Sequence, residues 1–396
     1  MLGMVAWKSF GYASSDVQCR LLYLVGQLGL GGLERQLYYL LENLDRVRYQ
    51  PAVIVWNFNQ GDKYYRDIEE LKIPIWGFPT AWSPLSKLRA LGALAQQVAP
   101  EVIHSYGFHT NLAAYYAAWR TGALAIGSLR GDFTIARRDG GIIKGALNAR
   151  WPVAHISNSQ TSADAAKQAP GFFKPRQVFV VRNGLDLGQF NRMEDAFKSR
   201  HYVAAVGSLL RIKRWDRLLR VIQKLMTSVH QGVRFRIAGD GPLRPTLEKL
   251  ANDLCISETI EFCGAVHDIP AFLSRARFLV HTSESEGCPN AVMEAMACGL
   301  PVVAMEAGDI PYLVKDGRTG FVVPQGDEAA FVESTVRLLG DDGLCFRMGL
   351  AAREMAVREF TPERLVSETL TVYRAAGWED KSMHNIPKAS ARGMQP

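Results

Sequence analysis

The sequence has no apolar run long enough to cross a bilayer, which takes about 20 consecutive apolar residues in a helix. Its first 18 residues also lack the continuous apolar stretch of a secretory signal peptide. We therefore expect a protein that neither spans a membrane nor is secreted, and we predict a cytoplasmic location.

Paired cysteines and metal-binding patterns are missing as well. None of the six cysteines forms a Cys-x-x-Cys pair, which favours reduced thiols. The sequence contains no Asp-x-Asp pair that would hold a metal-bound nucleotide, and no His/Cys cluster has ligand spacing. We expect neither a metal site nor a bound cofactor.

Charge narrows the choice of partners only slightly. The net charge is +7 and the pI about 9.1, which suits anionic ligands, nucleic acid or an anionic membrane surface. The sequence has no aromatic-rich basic recognition motif, so we expect no nucleic-acid partner.

From Arg20 onward, short strand-like runs alternate with amphipathic helical patterns. LLYLVG, for example, is followed by LERQLYYLLENL and then by PAVIVWNF. This alternation predicts right-handed crossovers and parallel sheets covered by helices on both faces. Because the pattern stops at the polar stretch 191–200 and then restarts, we predict an α/β fold of two Rossmann-like, doubly wound domains facing across a cleft.

A chain of 396 residues is long for a single hydrophobic core, and we predict that it divides into five parts. They are an N-terminal lead at 1–19, an N-terminal Rossmann-like domain at 20–188, a C-terminal Rossmann-like domain at 189–362, a C-terminal helix at 363–380 and a disordered tail at 381–396.

The first predicted strand is followed by the glycine-rich loop GLGGLERQL. Gly31 and Gly32 allow close backbone approach, and the helix after them offers free N–H groups to an anion. A dinucleotide-binding loop would need glycine where Glu34 stands, and no acidic residue ends the next strand. NAD binding is therefore disfavoured, and a plain tight turn is the alternative to a phosphate site.

In the second half, GSLLRIKRWD places Arg211, Lys213 and Arg214 between a strand and a helix. Cations at this edge of a sheet could neutralise a diphosphate, although a solvated basic turn is the simpler interpretation of this loop alone. The later loop AGDGPLRPTLEKL, taken alone, is typical of a structural turn.

The stretch SESEGCPNAVMEAMACGLP carries Glu286 and Glu294 around a predicted helix N-terminus. A helix from about Pro289 to Cys298 would place the two carboxyl groups on the order of 10 Å apart. Glycosidase pairs are separated by roughly 5 to 9.5 Å, so hydrolysis by these two is disfavoured. An elongated ligand fits better, with a sugar near Glu286, a diphosphate over the helix N-terminus and ribose hydroxyls at Glu294. The residues predicted to bind it there are Gly287, Pro289, Asn290 and Ala291; the alternative is two surface glutamates on a helix edge.

Together these segments resemble the family 4 retaining glycosyltransferases, enzymes of the GT-B fold with two Rossmann-like domains. EGCPNAVMEAMACGLPVVA resembles their Glu-Gly-x-Pro…Glu segment, GGLERQL their first loop and VVRNGLDLGQF their interdomain segment. AGDGPLRPTLEKL, GDIPYLVKDGRTGFVVPQGD and REFTPERLVSETLTVYR follow in family order, so the resemblance covers about residues 20–376. It implies that the domain at 20–188 is the acceptor side and that the domain at 189–362 binds the nucleotide sugar. It also implies that the final helix crosses back to the first domain.

The resemblance assigns roles at the matching positions. It implies that Glu286 contacts hydroxyls of the donor sugar, Glu294 the ribose and Lys213 the diphosphate. Gly31 and Gly32 would line the cleft near the phosphates.

The sequence departs from the family pattern at two positions. Ser208 stands where the family usually has arginine, which makes Arg211 a candidate replacement. Arg130 stands where many members carry a histidine facing the donor sugar, and we predict that Arg130 binds substrate. His109 is a further catalytic candidate in the cleft; the alternative is an ordinary structural histidine.

These observations predict a metal-independent hexosyltransferase. It would move a hexose-type sugar from a nucleoside diphosphate sugar, its co-substrate, to a hydroxyl of a glycan or lipid-linked glycan, with the retention of configuration that the resemblance implies. Positive side chains and the helix N-terminus would replace Mg²⁺. Two alternatives stay open: a nucleotide-sugar epimerase of the same fold, and a catalytically silent nucleotide-sugar-binding module.

Residues 130–151 combine five basic residues and six large apolar ones with only two acids. The segment follows a strand C-terminus, so we expect it at the mouth of the cleft. We predict that it holds a lipid-linked, phosphate-bearing acceptor and docks the protein peripherally on the anionic inner membrane face. The alternative is a solvated loop with a short helix, since the glycines weaken a continuous amphipathic helix.

Overall fold

The computed structural model describes residues 19–190, 201–228 and 232–382. The predicted N-terminal lead before Cys19, the polar stretch 191–200 and the predicted disordered tail beyond Ser382 lie outside the described residues.

The first domain is built on a seven-stranded parallel sheet with strand order β3-β2-β1-β4-β5-β6-β7. Its strands are β1 (Cys19–Val25), β2 (Tyr49–Phe58), β3 (Ile75–Pro79), β4 (Val102–Ser105), β5 (Leu124–Leu129), β6 (Ala154–Ser157) and β7 (Val178–Val180). Its helices are α1 (Gly32–Glu42), α2 (Lys63–Glu70), α3 (Pro84–Val98), α4 (Asn111–Thr121), α5 (Phe133–Asp139), α6 (Ile142–Arg150) and α7 (Gln160–Lys167). The strand order reverses between β1 and β4, which opens a crevice at the carboxyl ends of these strands.

The second domain has a six-stranded parallel sheet with order β10-β9-β8-β11-β12-β13, and its order reverses between β8 and β11. Its strands are β8 (Tyr202–Val206), β9 (Arg234–Ala238), β10 (Ile260–Gly264), β11 (Ala276–His281), β12 (Val302–Met305) and β13 (Gly320–Val323). The helices are α8 (Trp215–Ser228), α9 (Arg244–Asp253), α10 (Ile269–Ser274), α11 (Asn290–Ala297), α12 (Ile310–Leu313), α13 (Glu328–Gly340), α14 (Asp342–Glu359) and α15 (Pro362–Ala375). The predicted fold of two doubly wound α/β domains is confirmed; the exact domain boundaries stay predictions.

Strand β1 shows why the strand-like segments of the sequence are mainly apolar. Leu21, Tyr23 and Val25 are buried in the core on one face of the sheet. Leu22 and Leu24 are buried in a separate core on the other face. Because successive side chains of a strand point to opposite faces, a strand segment covered on both sides is apolar at consecutive positions, as β1 is from Leu21 to Val25.

Helix α15 packs against the first domain although it follows the second one in the chain. Thr361 caps its N-terminus by accepting a hydrogen bond from the Arg364 N–H, and Pro362 occupies its first turn. Leu365 and Tyr373 belong to the same core as β1. The helix therefore joins the two domains.

Across the described ranges, no helix combines the length and the apolar character that a membrane crossing requires.

Candidate functional site

Glu286 and Lys213 meet because their loops follow neighbouring strands of the second sheet. Lys213 lies just after β8 and Glu286 just after β11, and these strands flank the point where the strand order reverses. Lys213 Nζ donates a hydrogen bond to Glu286 Oε1 at 2.6 Å. The predicted catalytic pair is thus in direct contact.

A third residue, His281, completes this cluster. It is the last residue of β11, its side chain is 4% exposed, and its Nε2 lies 3.0 Å from Glu286 Oε1. Burial alone would raise the pKa of Glu286, but the bonds to His281 and Lys213 outweigh it and lower that pKa to about 2. Glu286 therefore stays ionised at all pH values near neutrality. Sequence reasoning missed His281, because it ends an apolar run without any spacing signal.

We expect Glu286→Gln to lower the free energy of unfolding by about 1–3 kcal/mol at pH 7, because Lys213 and His281 lose their anionic partner. A carboxylate whose pKa is lowered on folding stabilises the protein above its usual pKa of 4.5, and this stabilisation is lost as the pH falls toward 2. The difference in the free energy of unfolding between wild type and variant should therefore be smaller when urea unfolding is measured at pH 3 instead of pH 7.

The matched control is Glu284→Gln, which removes a carboxylate that is 61% exposed. It should change the free energy of unfolding at pH 7 by less than Glu286→Gln does. An equal loss for the two variants, or a Glu286→Gln loss that is the same at pH 3, would contradict the assigned ion pairs.

Glu294 is covered by a residue of the other domain. Arg35, on α1, forms an ion pair with Glu294, on α11, and the two side chains are 24% and 5% exposed. The next residue along α1, Gln36, exchanges two hydrogen bonds with the backbone of Gly184 between the domains. The predicted ribose-binding carboxylate is therefore occupied by a cation. Arg35 lies in the segment GGLERQL, within the first turn of α1, and no sequence pattern distinguishes it from its neighbours.

The N-terminus of α11 lies directly beneath the glycine-rich loop. Pro289 is the N-cap and Asn290 the first helical residue, so the expected start at Pro289 was one residue early; its φ of −72° fits either position. A Cβ on Gly32 would come within 2.5 Å of Asn290 Nδ2. Ala291 follows as the second helical residue, and the N–H groups of the first two helical residues have no carbonyl partner within a helix. Gly32 therefore faces the N-terminus of α11, and the binding of phosphates by Gly31 and Gly32 stays a prediction.

Gly287 lies at a second close interdomain contact. A Cβ there would lie 3.0 Å from the backbone of Gly131 and 3.1 Å from Asn158 Oδ1. Beside it, Ser285 Oγ donates to Asp132 Oδ2 at 3.2 Å. The loop after β5 thus closes onto the loop that carries Glu286.

Arg130 precedes this contact and points into the first domain. Its guanidinium carbon lies 4.6 Å from the centre of the Tyr106 ring. Nε and Nη1 are enclosed and have no hydrogen-bond partner among the described residues. Arg130 thus has two enclosed donor atoms without partners, at the edge of the cleft.

Arg211 and His109 are not brought to Glu286. Both side chains are exposed, and within the described part of the chain neither forms a hydrogen bond or ion pair with the cluster. Arg211 lines an open groove of about 540 Å³ between α8 and α9, together with Leu243 and Leu247. His109 packs edge-on against Phe108 at 5.9 Å between ring centres. Their roles stay predictions.

Asp309 is a buried interdomain residue that sequence reasoning did not single out. It is 0% exposed and accepts hydrogen bonds from Ser159 Oγ at 2.9 Å and from the Gln160 N–H at 2.7 Å. Arg182 Nε donates to its other oxygen at 3.0 Å. This carboxylate ties the second domain to the loop after β6.

Two family models match successive parts of the chain. The model described as Glycosyltransferase Family 4 matches residues 30–189, and the model described as Glycosyl transferases group 1 matches residues 200–341. The first match includes Gly31, Gly32 and Arg130, and the second includes the cluster around Glu286.

Curated relatives are similar over part of their length. N-acetyl-alpha-D-glucosaminyl L-malate synthase of Bacillus anthracis is 27% identical over 210 residues, which are 53% of this chain and 54% of that protein. Alpha-maltose-1-phosphate synthase of Mycolicibacterium smegmatis is 28% identical over 310 residues, 70% of this chain and 79% of that protein. The chain spans about half the length of several other curated relatives that it matches.

Solved structures share the fold. Alr3699/HepE of Anabaena, determined in complex with UDP and glucose, superposes with a TM-score of 0.76 at 19% identity, covering 90% of this chain and 100% of that one. Both family models match in order and the fold is that of known glycosyltransferases, so the chain belongs to the family 4 and group 1 glycosyltransferases of the GT-B fold.

Proposed function

We propose that the protein transfers a hexose-type sugar from a nucleoside diphosphate sugar to a hydroxyl of a glycan or lipid-linked glycan, in the synthesis of a cell-surface polysaccharide or glycolipid. The observation that carries this proposal is the cluster of Glu286, Lys213 and His281 beside the N-terminus of α11, with Glu294 further along the same helix. A carboxylate, a cation, a helix N-terminus and a second carboxylate match the hydroxyls, diphosphate and ribose of such a donor.

The relatives support the donor class. The Anabaena structure holds UDP and glucose, and a further structure of that protein holds UDP-glucose. In this chain, Glu286 would bind sugar hydroxyls, Lys213 and the first N–H groups of α11 the diphosphate, and Glu294 the ribose. The base that follows the ribose stays open.

Donor binding requires the cleft to rearrange. Arg35 must leave Glu294 before ribose hydroxyls can reach that carboxylate. The glycine-rich loop must also lift from Asn290, since Gly32 leaves no space between them. We therefore infer that the described conformation is a closed, donor-free state whose internal ion pairs are exchanged for contacts with the donor.

Sugar transfer depends mainly on stabilising the leaving group, which is the nucleoside diphosphate. The bond between the anomeric carbon and the diphosphate oxygen breaks, the acceptor oxygen bonds to that carbon, and the hydroxyl proton passes to the departing diphosphate. Negative charge grows on the diphosphate, where Lys213 and the α11 N-terminus would stabilise it without a metal ion. Retention at the anomeric carbon is carried over from the family resemblance.

Arg130 supplies the best candidate for further substrate contacts. Its enclosed Nε and Nη1 lack partners, so a hydroxyl, carboxylate or phosphate of the substrate would satisfy a cation that is otherwise costly to bury. Arg211 and His109 would act only on parts of the acceptor that extend outside the cluster.

A thermal-shift screen of UDP, GDP and ADP, each as the free nucleotide and as sugar conjugates, tests the donor class. We expect the nucleotides of one base to raise the melting temperature, because a ligand at about 100 times its Kd adds roughly 2.7 kcal/mol to the free energy of unfolding. Adding EDTA should leave the shift unchanged. If none of the nucleotides shifts the melting temperature, or if the shift disappears with EDTA and returns with Mg²⁺, the proposed metal-free donor site is wrong.

A further inference from the structure

Helix α6 and the neighbouring turn at Gly171–Phe173 expose large apolar side chains. Ile142 is 80% exposed, Ile143 76% and Phe172 61%. The helix packs against this turn, so the three side chains belong to one surface, which we call the α6 face. Soluble proteins rarely leave adjacent large apolar side chains this exposed without a partner.

The α6 helix has an inverted pattern of burial. An ordinary surface helix turns its large apolar side chains to the core and its small or polar ones to water. Here the residues packed against the domain include Gly145, Ala146 and Ala149, whereas both isoleucines of the first turn are exposed. A helix that served only to complete the domain would be expected to bury these isoleucines.

The segment that carries the α6 face, residues 130–176, is also strongly basic. Residues 130–176 contain eight basic and three acidic residues, a net charge of +5 out of +7 for the whole chain. The exposed basic residues of this segment are Arg138, Lys144, Lys167, Lys174 and Arg176. Arg138 and Lys167 have only loose contacts with exposed acids, at 3.6 and 3.9 Å. Such contacts leave most of the positive charge available to a partner.

We propose that the α6 face docks on an anionic membrane surface. Ile142, Ile143 and Phe172 would enter the boundary between headgroups and acyl chains, and the basic side chains around them would lie on anionic headgroups. Single-stranded nucleic acids are held by several stacked aromatic rings, whereas this face is mainly aliphatic. A lipid surface is therefore the occupant that satisfies both the apolar and the charged parts.

The face is continuous with the loop that closes over the candidate active site. Asp132 caps α5 by accepting a hydrogen bond from the Thr134 N–H at 2.8 Å, and the same carboxylate accepts one from Ser285, next to Glu286. Docking would thus hold the cleft close to a lipid-linked acceptor. Only this last step rests on the proposed function, because docking itself requires no catalysis.

Flotation of the purified chain with phosphatidylcholine vesicles, with and without phosphatidylglycerol, tests the proposal. We expect at least about tenfold more protein on the anionic vesicles, and less binding as the salt concentration rises. Two triple variants should each lose most of this binding: Ile142→Ser with Ile143→Ser and Phe172→Ser, and Lys144→Glu with Lys174→Glu and Arg176→Glu.

Matched controls lie on α14, where Val357 is 47% exposed and the Arg358 side chain 70%. Val357→Ser and Arg358→Glu should float like the wild type. Every variant should have a melting temperature within about 2 °C of that of the wild type. Equal binding to both vesicle types, binding to heparin or RNA but not to vesicles, or unchanged flotation of either triple variant would overturn the proposal. None of these results would affect nucleotide binding, so failure here is distinguishable from failure of the proposed function.

Discussion

Glu286→Gln should reduce kcat for sugar transfer by about 100-fold while changing the affinity for the free nucleoside diphosphate by less than about threefold. The carboxylate is held ionised by His281 and Lys213, and it would bind hydroxyls of the sugar but nothing on a nucleotide that lacks the sugar. Steady-state kinetics and calorimetry with the free nucleotide separate the two effects.

Glu284→Gln again serves as the control, because this exposed glutamate precedes Glu286 by two residues and should leave both quantities unchanged. A Glu286→Gln variant that binds the free nucleotide much more weakly, yet turns over bound donor at the normal rate, would show that Glu286 is a nucleotide ligand instead.

Lys213→Met should lower kcat by about 100-fold and raise the KM for the donor by less than about fivefold. The charge on the departing diphosphate is larger in the transition state than in the bound donor, so a cation at this position acts mainly on the rate. Glu286 would keep its bond to His281 in this variant. Initial rates over a range of donor concentrations give both parameters.

Lys224→Met provides the matched control, since Lys224 lies on α8 and pairs at the surface with Glu328 at 2.6 Å. A Lys213→Met variant that loses affinity without losing rate would assign Lys213 to ground-state binding. Full activity of this variant would remove Lys213 from the site altogether.

The fold was predictable because local patterns determine it. Strands such as β1 are covered on both faces and are therefore mainly apolar, and glycines and prolines mark the turns between elements. The start of α11 was misplaced by one residue, because the fixed φ of Pro289 suits the N-cap as well as the first helical position.

Only part of the candidate site could be predicted. The sequence predicts roles for Glu286, Glu294 and Lys213 because they lie in short motifs that follow strands, and these roles stay predictions. His281 lacks such a motif: it ends the apolar run of β11, and only the folded loop brings Glu286 back to it. Its part in the site could not be recognised before the loop was seen.

The interdomain contacts could not be predicted from the sequence for a different reason. Arg35 and Glu294 are 259 residues apart in the chain, and Asp309 is 127 residues from Arg182. No local pattern encodes which charged residues meet when two domains close. The same limit applies to Arg211 and His109, whose exposure depends on the direction of loops that sequence patterns do not specify.

The most direct test of the central claim follows the donor sugar itself. The chain is incubated with the nucleoside diphosphate sugar selected by the thermal-shift screen, with and without hydroxyl-bearing glycan and glycolipid acceptors, and NMR records the anomeric carbon of the sugar. We predict that the nucleoside diphosphate is released in equal amount to the sugar bound to the acceptor, with the anomeric configuration retained, and that only slow hydrolysis occurs without acceptor. Isomerisation of the donor in the absence of acceptor, or a bound donor that never reacts with any acceptor, would contradict the account.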